Sequence, residues 1–419
     1  MIKKVLPIKK LIGSIVIPSD KSISHRAIML LSIAHGKSII KNFSSGADCH
    51  STLNIFKQLG INANFTDNNT LSIKGGELHP PTEVLNAGNS GTTMRLVSGI
   101  LAGQNFNSVI VGDESLSKRP MQRIIEPLTL MGAEIISSDG HAPISIQGKN
   151  LSGITYHSPI ASAQVKSCIL LAGLKAEGKT SVIEPYQSRN HTELMLKYLG
   201  ADIQNTTINP SELVAKNIEI VGDISSAAFF IVAGLIVQGS DFVIKNVGIN
   251  PTRTGIIDIV KRMGGQIEIL NERIVSEEKC ADIRVCYSEN LKACEIKGED
   301  IPRLIDELPV IAILASQAEG ETIIKDARDL RKKESDRISS LVKELQKIGL
   351  EIKELTDGFI VRGKTKLKGN AELMTYHDHR LAMSFYVAGL ICENEISING
   401  FEWTKISFPE FEELFSQLH

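Results

Sequence analysis

Ser51-Thr52-Leu53-Asn54-Ile55-Phe56-Lys57-Gln58-Leu59-Gly60-Ile61 sets the reading of the whole chain. Its apolar residues fall at helical spacing, and the glycine after Leu59 ends the helix in a left-handed turn that leads into a strand. The same arrangement returns at Met131-Gly132-Ala133, Leu199-Gly200-Ala201, Met263-Gly264-Gly265 and Ile348-Gly349-Leu350. Each follows an amphipathic segment, over 123–131, 192–199, 256–263 and 338–348, and successive glycines stand 64 to 85 residues apart.

A second kind of helix runs out of phase with the first, over 27–34, 94–102, 165–174, 227–237, 309–318 and 381–391. These segments are rich in Ala, Gly and branched apolar residues nearly all round, which predicts burial. The chain thus divides into six units of about 70 residues, each with strands, one buried helix and one half-exposed helix. A last helix over 411–418 stops where the next strand is due, and the first seventeen residues supply extended segments with no helix before them. The N-terminus is therefore expected to complete the sixth unit. A chain of 419 residues is too long for one ordinary core. The expectation is an α/β (α+β) protein of two domains, one of residues 1–17 with 223–419 and the other of 18–222. A solenoid also repeats at this period. Charged and hydroxyl residues at the starts of the buried helices favour instead two globular halves facing each other across a cleft.

Lys and Arg total 46 against 48 Asp and Glu, a net charge of −2, so nothing points to nucleic acid or to an anionic membrane. Any anionic ligand must be held by local clusters of cations. The longest apolar helix candidate is far shorter than the ~20 residues of a membrane span, and Met1-Ile2-Lys3-Lys4 does not open a secretory leader. The six cysteines lack C-x-x-C spacing, which predicts reduced thiols, no metal site and a cytoplasmic protein.

Polar residues gather where the buried helices begin. Pro18-Ser19-Asp20-Lys21-Ser22-Ile23-Ser24-His25-Arg26 lies between a strand expected over 11–17 and the helix over 27–34. A helix start presents unpaired N–H groups and partial positive charge, and Lys21, Arg26 and three serines make it an anion cradle. A Ser/Asp cap with two surface cations reads alike. The Gly-rich stretch from Asn86 to Arg95 carries Asn89 and Thr92, and Lys118-Arg119-Pro120-Met121-Gln122-Arg123 holds three cations in six residues. Ser162-Ala163-Gln164-Val165-Lys166 and Ser188-Arg189-Asn190-His191 offer hydroxyl, amide and guanidinium groups. Asp306-Glu307, the run from Leu330 to Arg337, and Tyr376-His377-Asp378-His379-Arg380 follow. Each has a plain alternative: a turn, a helix cap, a dipole partner or a surface charge patch. An i, i+2 pair such as His377 and His379 is poor geometry for a metal. Recurrence at the same point of successive units is what a cleft for small polyanions requires.

PSDKSISHR, GNSGTTMR, KRPMQ, SAQVKS, SRNHTE, DELP, LRKKESDR and HDHR occur in the order found in the enolpyruvylshikimate-phosphate synthase family, and the match runs from about Gly13 to Phe408. This resemblance implies a two-domain inside-out α/β barrel, each domain built of three βαβαββ repeats. It implies addition of the 5-hydroxyl of shikimate 3-phosphate to C2 of phosphoenolpyruvate, then elimination of phosphate, without cofactor or metal. The implied partners are these two small molecules, with a monomeric protein and no nucleic acid or membrane. The family pattern places Lys21 at both substrates and gives Ser22, Arg26, Ser162, Ala163, Gln164, Ser188, Arg189, Asp306 and Lys333 to shikimate 3-phosphate. It gives Asn89, Gly91, Arg119, Gln164, Arg337 and Arg380 to phosphoenolpyruvate. Asp306 is the expected base for the 5-hydroxyl, Glu334 the expected acid for C3, and Lys21 completes the catalytic set, while Arg95 supports the Gly-rich loop. The chain departs from the pattern at Ser19, where many members have Gly, and at Ala163, where some have Ser. It departs again at Ile406, where some have a phosphate-binding Lys; here Lys405 is the neighbour.

Related transferases give the alternatives. UDP-N-acetylglucosamine enolpyruvyl transferase usually carries a Cys in the loop before its Arg-Pro pair, whereas Gly112 to Ser117 has none. RNA 3′-phosphate cyclase requires a more basic face. Because the anion-holding groups divide between the halves, the halves are expected to close when ligands bind.

Overall fold

Gly60, Gly132, Gly200, Gly264 and Gly349 each follow a helix with φ between 82° and 97°. That is the left-handed stop on which the repeat was read. The amphipathic helices before them are Ala47–Gln58, Gln122–Leu130, His191–Tyr198, Gly255–Arg262 and Arg337–Lys347. The buried helices are Lys21–Ile33, Gly91–Ala102, Ala163–Gly173, Ile224–Ile236, Leu308–Ser316 and His379–Gly389. All six begin earlier than apolar spacing indicates, the first by six residues, so Lys21 to Arg26 form its opening turns and not a loop before it. Their polar first turns carry no hydrophobic signal, and capping by Asp20, Ser90, Ser162, Asp223 and Asp378 marks the true starts. The final helix is Phe411–Ser416, two residues shorter than expected.

The computed structural model describes residues 1–419 and forms two units. One comprises Met1–Pro18, Val221–Ile274 and Lys279–His419; the other comprises Ser19–Ile220 with Val275–Glu278. They are called below the 221–419 unit and the 19–220 unit. The chain crosses one or two residues from the positions read in the sequence, and the hairpin tip 275–278 was not foreseen.

The 19–220 unit holds three four-stranded sheets. In the first the order is Ile218–Glu219, Gly36–Lys41, Leu71–Gly75, Asn62–Phe65. The leading pair is parallel and the others antiparallel, and the sheets of the second and third repeats follow the same rule. Helices Gly91–Ala102 and Ala163–Gly173 pack together through Gly99, where an added Cβ would stand 2.2 Å from the carbonyl oxygen of Cys168. Only a residue without a side chain permits that approach.

The 221–419 unit repeats the scheme, with help from the N-terminus. Ile12–Val16 runs parallel to Asp241–Gly248 at the edge of its first sheet, and Ile2–Val5 pairs antiparallel with Ile396–Asn399 in its last. Helices Ile224–Ile236, Leu308–Ser316 and His379–Gly389 are buried at every residue and pack on one another. Phe230 stacks on Phe415 with ring centroids 4.2 Å apart, and Phe229, Tyr386, Phe401, Phe408 and Phe411 complete the aromatic cluster that seats the C-terminal helix.

Candidate active site

In the 19–220 unit the three buried helices bring their polar starts together. Asp20 caps the first by accepting the N–H of Ile23 at 2.8 Å, which sets Lys21 at the opening of the helix. The Lys21 ammonium lies 3.0 Å from Asp48. Arg26 is buried; its Nε donates to Thr192 Oγ1 at 2.7 Å, and its Nη atoms donate to the Ser22 carbonyl and to Ser167 Oγ, both at 2.9 Å. These bonds join the first repeat to the third. His25 reaches the second through Thr52 Oγ1 at 2.6 Å and onward to Thr93 at 2.7 Å. Burial pushes the His25 imidazole down to about 3, so it is neutral and serves this network as a hydrogen-bonding group. Ser19 is buried and is not among the left-handed residues, so a serine fits where many relatives of the motif have glycine.

The second and third starts also meet. Arg95 Nη1 donates to Gln164 Oε1 at 2.7 Å, and Gln164 Nε2 donates to Thr92 Oγ1 at 3.0 Å. Arg119 donates to Asn89 Oδ1 at 2.9 Å, while the Asn89 amide donates to Asp113 at 2.7 Å. A Cβ on Gly91 would lie 2.7 Å from Arg95 Nη1 and 3.6 Å from Arg119 Nη1, so both guanidinium groups close over a bare backbone. Ser162 caps the third helix, Ala163 is its first residue, and Ser188 is buried with Arg189 half-buried beside it. Lys21, Ser22, Arg26, Asn89, Gly91, Arg119, Ser162, Ala163, Gln164, Ser188 and Arg189 therefore all belong to this unit, most on helix starts or on the loops touching them.

The remaining five expected residues form one cluster in the 221–419 unit. Asp306 lies in the turn before Leu308–Ser316, with the Lys333 ammonium 3.3 Å and Arg337 Nη1 3.5 Å from the same carboxylate oxygen. Glu334 is ion-paired with Arg337 Nη2, and Arg380 Nη1 donates to the Asp306 carbonyl at 3.2 Å. Burial pushes the Lys333 ammonium below the ordinary lysine range; neighbouring Asp306 opposes the shift and Arg337 adds to it. Burial also works against the Arg337 charge, yet the carboxylates of Asp378, Glu334 and Asp306 outweigh it and hold the guanidinium charged.

Several groups here escaped the sequence reading. Asp378 caps His379–Gly389 and accepts Arg337 Nε at 2.8 Å, Ser335 Oγ at 3.0 Å and the Arg380 N–H at 2.9 Å. One fully buried carboxylate thus orients both arginines. Its signal was present: an Asp between two histidines, directly before an apolar helix, is a cap. Glu307 was read as a dipole partner of the helix start. It makes no cap; it is buried, accepts from Ser225 Oγ and stands 4.0 Å from Arg380 Nη1. Buried Arg253, which donates to Ser225 Oγ at 2.7 Å and to Asp223 at 3.2 Å, had no local signal at all. His377 lies against Trp403 with ring centroids 4.7 Å apart, and Lys405 is exposed.

Six repeats in two units, with cations, amides and hydroxyls at the helix starts, define the enolpyruvyl-transferase class of fold. An enolpyruvyl transferase from Streptomyces tendae superposes with a TM-score of 0.80 over 99% of this chain and 96% of its own, at 17% identity. The family model described as EPSP synthase (3-phosphoshikimate 1-carboxyvinyltransferase) matches residues 5–415, and the chain belongs to that family. The 3-phosphoshikimate 1-carboxyvinyltransferase of Petrotoga mobilis is 50% identical over 99% of both chains, and that of a Thermoanaerobacter species is 51% identical over 97% of both. The EPSP synthase of Acinetobacter baumannii superposes with a TM-score of 0.88 at 45% identity, covering 99% of this chain and 97% of that one.

Proposed function

We propose that the chain transfers the carboxyvinyl group of phosphoenolpyruvate to the 5-hydroxyl of shikimate 3-phosphate and releases phosphate, a step of aromatic amino acid biosynthesis. The observation that carries the residue assignment is the cluster of Asp306, Lys333, Glu334, Arg337 and Arg380. It gathers two carboxylates and three cations from a 75-residue stretch of sequence onto adjoining helix starts.

The substrates bring two phosphates and two carboxylates, and each needs a counter-charge. Arg26 meets the carboxylate of shikimate 3-phosphate. Its phosphate is taken by Ser162, Ala163 through the backbone, Gln164, Ser188, Arg189 and Lys333, with Lys21 and Ser22 alongside. Arg119, with Asn89 and Gly91, receives the phosphate of phosphoenolpyruvate. Arg337 and Arg380 hold its carboxylate, a planar group that suits the guanidinium fork. The Nε edge of Arg337 is committed to Asp378, which leaves the Nη1 edge, facing Asp306, for the ligand.

Asp306 then takes the proton of the 5-hydroxyl as its oxygen attacks C2, and Glu334 gives a proton to C3, making a methyl group and a tetrahedral carbon that still bears phosphate. Loss of a C3 proton and departure of phosphate restore the double bond in the enol ether. Lys21 acts at the reacting centre from the opening of its helix. The reaction has no oxidised or reduced product and no covalent enzyme intermediate, so positioning and charge stabilisation carry the rate. We also propose that the protein works as a monomer in the cytoplasm, with its six unpaired thiols reduced.

The test is phosphate release when the protein is mixed with shikimate 3-phosphate and phosphoenolpyruvate. Turnover with these two is expected. Release only when UDP-N-acetylglucosamine replaces shikimate 3-phosphate overturns the assignment.

A further inference from the structure

Glu184 follows the strand Thr180–Ile183 and buries its carboxylate, its side chain being 5% exposed. One oxygen accepts the backbone N–H of Ser162 at 3.0 Å. The other accepts the Ser188 hydroxyl at 2.9 Å and the Ser188 N–H at 3.3 Å. Lys166, on Ala163–Gly173 and 1% exposed, puts its ammonium 3.0 Å from that second oxygen. The same ammonium lies 2.8 Å from Glu193 and donates to the Ser188 carbonyl at 3.2 Å. A single carboxylate therefore ties the cap of one helix to the loop before another, and these are the two places that supply Ser162 and Ser188.

We propose that Glu184, with Lys166 as its buried counter-charge, is the positioning residue of the shikimate 3-phosphate side; the inference rests on the assignment of Ser162 and Ser188 to that substrate. Two consequences follow from the geometry. A glutamate beside a phosphate-binding group repels the ligand by simple Coulomb interaction, so its presence there is unfavourable unless it holds something in place. The oxygen facing Ser188 also has three donors: the hydroxyl, the Ser188 N–H and the Lys166 ammonium. The hydroxyl is thus released to turn its single proton toward an arriving phosphate, while the other two keep the buried carboxylate satisfied. Without Lys166 that exchange leaves the carboxylate under-satisfied.

A glutamine at 184 keeps the shape but offers one acceptor oxygen, and its NH2 then faces either the Ser162 N–H or the Lys166 ammonium, donor against donor. A bystander carboxylate and a positioning carboxylate therefore give opposite signs. Steady-state kinetics of the full chain, with each substrate varied in turn, reads the difference. For Glu184→Gln the KM for shikimate 3-phosphate is expected to rise about tenfold or more, with the KM for phosphoenolpyruvate within about twofold of wild type. Glu184→Asp keeps the charge on a shorter arm and is expected to show the same selective rise, smaller in size; it carries the test if the glutamine variant does not fold. A fall in the KM for shikimate 3-phosphate, an unchanged value, or an equal rise in both constants overturns the inference. Wild-type protein that releases no phosphate from these substrates overturns instead the functional reading on which it rests.

Discussion

Glu334 and Arg337 stand three residues apart, ion-paired, and the arginine is held from its other side by Asp378 at 2.8 Å. A carboxyl fixed in this way is placed for proton transfer without being needed to fill space. Replacing Glu334 by Gln keeps the volume and removes the transferable proton. The expected result is a fall in kcat of about 10²- to 10⁴-fold. Binding of shikimate 3-phosphate, measured by calorimetric titration, should stay near wild type. An equal loss of binding would assign Glu334 to the framework. Lys333 gives a second outcome. Burial lowers its affinity for the proton, so in the free enzyme the ammonium is lost at lower pH than an ordinary lysine at 10.5. The phosphate-binding form is the charged one, so kcat/KM for shikimate 3-phosphate should decline on the alkaline side, below the usual lysine range. In Lys333→Arg the guanidinium stays charged and that alkaline limb should move to higher pH. A limb that does not move removes Lys333 from phosphate binding. These residues were legible in the sequence because charged and hydroxyl groups crowd short stretches. Their buried partners were not: Asp378 lies 41 positions from Arg337, and Glu184 lies 22 from Ser162.

Two glycines test the elements by different physics. Gly200 has φ of 91° with no atom within 4 Å of a built Cβ, so Gly200→Ala adds only the strain of a left-handed alanine, about 1–2 kcal/mol. Gly99 lies inside a helix, and its Cβ would stand 2.2 Å from the Cys168 backbone oxygen. Gly99→Ala must push two buried helices apart. That overpacking costs about 1–3 kcal/mol or more, with backbone on both sides unable to turn away. Thermal melts should rank Gly99→Ala below Gly200→Ala, at about 2–4 °C for each kcal/mol in units of this size. The reverse order would mean that the helix pair has slack at Gly99. The stop at Gly200 was legible because a left-handed turn after an apolar run is a local signal. The crossing at Gly99 was not, since its partner lies 69 positions away. Helix starts fell between these cases: capping chemistry is local, yet it hides within polar residues that apolar periodicity does not register.

At the scale of the whole molecule the N-terminus is structural. Ile2–Val5 and Ile12–Val16 supply strands to two sheets of the 221–419 unit, and Val5, Leu11, Ile15 and Ile17 sit in its core. Full burial of each such side chain is worth about 1.5–3 kcal/mol, and together they rival the 5–15 kcal/mol that holds a typical domain. Removing residues 1–17 should abolish turnover and open the amides of Asp241–Gly248 and Ile396–Asn399 to hydrogen exchange. A truncated chain that retains activity would show those strands to be dispensable. The sequence by itself determined the alternation of helix and strand, the six-fold repeat, the glycine stops and the residues able to hold anions, because spacing, capping and backbone freedom act over a few neighbouring residues. Only the tertiary structure decided that strand 12–16 lies beside 241–248, that Asp378 holds both arginines, and that Glu184 and Lys166 tie Ser162 to Ser188. Those choices rest on hydrogen bonds and ion pairs between distant segments, which satisfy buried polar groups once the helices have packed and leave no periodic trace along the chain.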